Sequence, residues 1–113
     1  MTSRRRLPNR RLCLSIAFEK NGQRYLASYG FFADGTLAEV FLNNSKAGND
    51  VDTSVRDAAI ATSFALQSGA DIDALRKALS RNSNGAAAGV LGAALDLVTS
   101  EHITDKLDSE AGR

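Results

Sequence analysis

Between Leu12 and Leu42 the chain alternates large apolar residues with small or polar ones. Two turn pairs, Asn21-Gly22 and Asp34-Gly35, cut the run into three. A period of two is the mark of a strand that buries one face. In the first segment Leu12, Leu14, Ile16 and Phe18 share one side, and Cys13, Ser15, Ala17 and Glu19 the other. Asn-Gly readily takes positive φ at both turn positions, which suits a two-residue hairpin. The second segment, Gln23 to Phe32, sets Tyr25, Ala27, Tyr29 and Phe31 against Leu26, Ser28, Gly30 and Phe32. A glycine inside a strand points to a bulge or a close backbone approach. The third segment, Thr36 to Leu42, sets Ala38, Val40 and Leu42 against Leu37, Glu39 and Phe41. Three strands joined by tight turns predict an antiparallel meander. Its second face also carries apolar residues, so partial cover on that side is expected as well.

After a polar loop, Asn43 to Asp50, the period lengthens to that of a helix. Val51, Val55, Ala58, Thr62 and Ala65 fall on one face of a helix expected from Val51 to Ser68. Ala59, Ile60, Ala61, Phe64 and Leu66 widen that face over most of the circumference. Such a helix is normally buried on more than one side, so a central helix, lying on the sheet and touched by later helices, is expected. Asp50 or Asp52 could cap its start, and Gly69 suits its end. Asp71 then caps a short helix, Ile72 to Ser80. Arg81 to Gly85 reads as a turn, and a last helix runs from about Ala88 to Thr99 with Leu91, Ala94, Leu95 and Val98 on its face. The fold class is α+β: a three-stranded antiparallel β-meander followed by three helices packed on one face. A single domain over residues 11–100 is expected, with a flexible basic arm at 1–10 and a flexible tail at 101–113.

The formal net charge of +1 makes no global case for a nucleic-acid or membrane partner. Locally, Arg4, Arg5, Arg6, Arg10 and Arg11 crowd the start without an acid among them. They could neutralise nucleic-acid phosphates or simply solubilise the terminus. Lys46, Gly48 and Asn49 precede a helix start, where amides, dipole and lysine could hold a nucleotide phosphate. Asp50 and Asp52 oppose an anion there, and a structural turn is the alternative. Cys13 is the only cysteine, so neither an intramolecular disulfide nor a cysteine metal cluster is expected. With no secretory leader visible, a cytoplasmic setting follows as the expectation. No apolar run reaches the roughly 18–20 residues of a membrane span.

No catalytic constellation is visible, and neither a metal nor a cofactor is expected. His102, the only histidine, reads as a solvated residue. Glu39 would pair with Lys46, Arg24 or Arg56. Tyr25, Tyr29, Phe31 and Phe32 read as sheet packing, since a base-stacking platform would carry flanking basic residues. Open strand edges and the apolar second face point to a homodimer.

Glu39, Phe41, Asn43, Lys46 and Gly48, followed by Ser63, Ala65, Leu66, Ser68 and Gly69, are similar to the pattern of the TSCPD domain. This domain occurs at the C-terminus of adenosylcobalamin-dependent (class II) ribonucleoside-diphosphate reductases and in short free-standing proteins. The similarity covers roughly Leu12 to Arg81. Gly89 to Asp96 looks more like the free-standing kind. Family members with the full pattern carry a cysteine just after the Lys-x-Gly loop and more beyond the second helix, neighbourhoods that Asn49, Asp50, Arg81 and Asn82 occupy in this chain. The resemblance implies the family label and an accessory role in deoxyribonucleotide synthesis, exerted by protein association, with a ribonucleotide reductase as the partner. It does not imply catalysis by this chain. Reductase chemistry needs a radical cysteine and a reducing pair, together with a catalytic barrel, and one cysteine cannot serve as all three.

Overall fold

The computed structural model describes residues 4–9, 12–44 and 50–99. Strands β1 (Cys13–Lys20), β2 (Gln23–Phe31) and β3 (Leu37–Asn44) form an antiparallel sheet in the order β1-β2-β3. Helices α1 (Asp50–Gln67), α2 (Ile72–Ala78) and α3 (Val90–Val98) follow. Asn21 (φ 54°) and Gly22 (φ 78°) both take left-handed conformations between Lys20 and Gln23, as the Asn-Gly pair predicts. The β2–β3 register shifts between Gly30 and Phe31. A Cβ at Gly30 would lie 2.4 Å from Glu39 Oε1. The glycine therefore marks both a bulge and a close approach.

One sheet face holds the core. Leu14, Ala27, Tyr29, Val40 and Leu42 are buried there, with Ile16 and Phe18 packed partly against them. Phe18 and Tyr25 stack across the strands with centroids 5.7 Å apart. From α3, Ala94, Leu95 and Val98 are buried. Tyr29 Oη donates to the Ala94 carbonyl at 2.6 Å, which ties this short helix to the middle of the sheet. Burial of that phenol pushes its pKa well above the usual value.

At the far end of α2, Arg81 binds Asp96 of α3 through both carboxylate oxygens, at 2.6 and 2.9 Å. Arg76 adds a third contact at 2.9 Å. The Arg81 hydrogen bonds, reinforced by Arg76, hold the Asp96 carboxyl below its ordinary pKa. The Asp71 carboxylate accepts from Ala74 N at 3.0 Å and caps α2, as expected.

The central helix departs from expectation. Its inward residues are Asp52, Ala59, Thr62, Ser63, Leu66 and Gln67, and most of them are polar. Ile60 and Phe64, read as part of a helix buried on several sides, are 47% and 50% exposed. The physical reason is where α1 lies. Phe31 N donates to Leu12 O at 3.2 Å, so Leu12 and Phe31 form a hydrogen-bonded pair. By the alternation of antiparallel pairing, Leu14–Tyr29 is hydrogen-bonded too, and Tyr29–Val40 is not. The polar backbone of Val40 and Asn44 therefore points away from β2, toward α1.

Three α1 side chains meet that edge. Asp52 Oδ1 accepts from Asn44 N at 3.1 Å. Ser63 Oγ accepts from Val40 N at 2.9 Å and lies 3.0 Å from the Val40 carbonyl, to which it can donate. Gln67 Nε2 donates to Ala38 O at 3.1 Å. Helix and strand run in opposite directions, and their rises agree. Eleven helical residues from Asp52 to Ser63 cover about 16 Å, against about 13 Å for four strand residues. Asp52, expected as a cap, sits inside the helix and serves the strand instead.

Candidate functional site

Of the residues singled out for anion binding, Lys46, Gly48, Asn49, Arg10 and Arg11 lie outside the described residues, as does His102. Arg4, Arg5 and Arg6 are described, and the first two are drawn onto the domain. Arg4 Nε donates to Gln67 Oε1 at 2.5 Å, and its guanidinium lies 3.9 Å from the Phe64 ring centroid. Arg5 donates its backbone N–H to Gln67 O and sits 3.8 Å above Phe32. Its Nη2 reaches Asp34 Oδ2 at 3.2 Å. Residues 4 and 5 thus bridge the end of α1 and the β2–β3 turn. Cation–π contacts of this kind contribute on the order of 0.5–1 kcal/mol each at exposed sites. Arg6 is exposed.

Asp34 anchors that bridge. It accepts from Thr36 Oγ1 at 2.6 Å and Thr36 N at 3.0 Å. These bonds, then Arg5, lower its carboxyl from 3.8 to about 2. A depressed folded pKa stabilises the native state above the ordinary carboxylate value, and that contribution is lost as pH falls through the folded value. The Asp34 side chain is expected to titrate near pH 2 in carbon-detected NMR, with the Arg5 contact loosening only in that acid range. A midpoint at the usual 3.8 would show that the turn bonds are not formed in solution.

Tyr25, Tyr29, Phe31 and Phe32 are all buried, which removes them as a platform for bases. Glu39 is buried over Gly30. Of its expected partners, Arg56 lies 3.8 Å from Asp52, and Arg24 is opposite Glu19 in the register. A cavity of about 360 Å³ opens between β1 and α3, lined by Phe18, Lys20, Ala87, Ala93, Asp96 and Leu97. Two of its three charged groups are committed: Lys20 Nζ donates to Ala87 O at 2.6 Å, and Asp96 is held by Arg76 and Arg81, while Glu19 also lines the cavity and is exposed. No group of three or more His, Cys, Asp or Glu among the described residues is placed to hold a metal ion. Within the same residues no helix is long and apolar enough to cross a membrane.

What the fold leaves available is the sheet face opposite α3. Across it the register sets Cys13 beside Gly30, Ser28 between Ser15 and Phe41, and Ala17 beside Leu26. Ser15 and Ser28 hydroxyls lie 3.1 Å apart. Cys13 is exposed there as a free thiol. Leu26 and Phe41 are diagonal neighbours on adjacent strands and are 43% and 45% exposed. The result is a patch of small residues with two large apolar side chains standing on it, bordered by the Glu19–Arg24 pair toward one end and by buried Glu39 toward the other. The partial cover expected over this face is therefore not found at Leu26 and Phe41. Alternation in the sequence puts these two on one face, but nothing in it marks that face as the open one.

In comparisons with protein families, curated proteins and solved structures, none matches this chain.

Proposed function

We propose that this chain is a non-catalytic accessory module of the TSCPD kind, serving deoxyribonucleotide synthesis by binding a ribonucleotide reductase. The observation that carries the reading is the open sheet face with Leu26 and Phe41 exposed on it. Two large exposed apolar side chains with the small, uncharged Ser15, Ala17 and Ser28 beside them suit burial against another protein better than contact with a charged ligand. Supporting it, two of the three charged side chains that line the cavity beside α3, Lys20 and Asp96, are engaged in bonds within the fold. The resemblance at Glu39, Phe41 and Asn43 supplies the class of partner, and those residues belong to the strand that carries Phe41.

The test is calorimetric titration of the chain into a purified adenosylcobalamin-dependent reductase. Binding is expected for the native chain. A Leu26→Ser, Phe41→Ser double variant, with unchanged circular dichroism, is expected to bind at least about tenfold more weakly, as removal of two central apolar contacts does at interfaces. No heat of binding with the native chain at high micromolar concentration would remove the reading.

A further inference from the structure

We propose that two copies of this chain pair through the outer edge of β1 and form a continuous six-stranded antiparallel sheet. The edges of the three-stranded sheet are treated differently. At β3, Asp52, Ser63 and Gln67 satisfy outward-facing backbone groups. At β1 the pairing that makes Leu12–Phe31 a hydrogen-bonded pair directs the N–H and C=O groups of Cys13, Ser15, Ala17 and Glu19 away from β2. All four side chains at those positions are exposed, so the edge is reachable.

Natural sheets protect an open edge with charge, proline, a bulge or brevity. This strand is eight residues long and pairs with β2 without a register shift. Its stretch Cys13-Leu14-Ser15-Ile16-Ala17-Phe18 holds neither a charge nor a proline, and charge enters only at its end with Glu19 and Lys20. An edge of this kind is a template for another strand. A second copy is the occupant that fits, because antiparallel pairing about a two-fold axis presents each donor with an identical acceptor.

The register that uses all four outward residues puts the axis at Ile16. Ser15 then exchanges both backbone bonds with Ala17 of the second copy, and Cys13 does so with Glu19 of the second copy. On the core side Ile16 meets its own counterpart, and Leu14 meets Phe18 of the second copy. That pairing covers the half-buried Ile16 and Phe18. The outermost strands of the six-stranded sheet are then the two copies of β3, each already lined by α1. This surface is the strand edge, distinct from the face assigned to the reductase.

Sedimentation velocity of the full chain, from micromolar to millimolar concentration, tests it. The native chain is expected to reach twice the chain mass. Ser15→Lys with Ala17→Lys is expected to sediment as a single chain, because the register sets these lysines against each other. Ser15→Glu with Ala17→Glu is expected to do the same. An equimolar mixture of the two variants is expected to recover the double mass. Ala17→Pro removes an N–H that β2 does not use, so the domain keeps its fold while edge pairing is lost. A native chain that stays at single mass throughout would overturn the proposal. So would a Lys or Pro variant that is folded by circular dichroism and still dimeric, or a dimer abolished only by Leu26→Ser with Phe41→Ser.

Discussion

Ser63→Ala is expected to destabilise the domain by about 2–4 kcal/mol: the buried Val40 N–H loses its acceptor at about 1–3 kcal/mol, and the one hydroxyl proton shared by the Val40 and Ala59 carbonyls adds about 1 kcal/mol. Val40 is fully buried, and its N–H and C=O turn toward Ser63 at 2.9 and 3.0 Å. The helix that excludes water from them would remain, so no solvent replaces the lost hydroxyl. For a domain whose total stability is roughly 5–15 kcal/mol, this is a large share. Differential scanning calorimetry should show a fall in Tm on the order of 10–25 °C. Ile60→Ser, on the same helix, removes a larger and more hydrophobic side chain yet is expected to cost no more than about 0.5 kcal/mol, as for ordinary surface changes. Phe64→Ser should cost about 1 kcal/mol, because Arg4 loses its ring. If Ile60→Ser proved the most damaging of the three, the orientation of α1 described above would be wrong.

Leu95→Ala carries the second large effect, about 2–5 kcal/mol for emptying a fully buried leucine site. Leu95 is among the largest completely buried side chains. It lies on a helix of nine residues whose N-cap, Gly89, offers no side-chain cap. A helix this short is not stable by itself in water, so packing through Ala94, Leu95 and Val98 and the bond from Tyr29 hold it in place. Hydrogen exchange on the variant should show α3 amides losing protection more than those of β2. Chemical denaturation should show a lower midpoint. Equal loss of protection in both elements, with the midpoint unchanged, would show that α3 is not anchored through this residue.

The meander and its turns were legible because they depend on neighbours in sequence. Asn21-Gly22 has the conformational freedom for its hairpin, Asp71 can reach the first turn of α2, and residues two apart share a strand face wherever the strand lies. The face of α1 was not legible in the same way. Reading apolar as inward assumes that the helix packs on side chains. Here it also packs along a strand edge, where backbone amides and carbonyls need polar partners, so Asp52, Ser63 and Gln67 turn inward and Ile60 and Phe64 outward.

The candidate site shows the same division. The arginine cluster is plain in the sequence. That Arg4 and Arg5 lie over Phe64 and Phe32 depends on residues roughly sixty and thirty positions away, which only the folded chain brings near. Leu26 and Phe41 belong to the face opposite the core by their place in the alternation, yet both faces of the sheet carry apolar residues.

By itself the sequence determined the order of elements, the hairpins, the Asp71 cap and which side chains share each strand face, since all of these follow from local backbone preference and period. Tertiary structure alone decided which sheet face the helices cover, which edge α1 lines and which edge stays open. Those outcomes depend on satisfying backbone groups and apolar area between segments far apart in the chain, and no local pattern encodes that pairing.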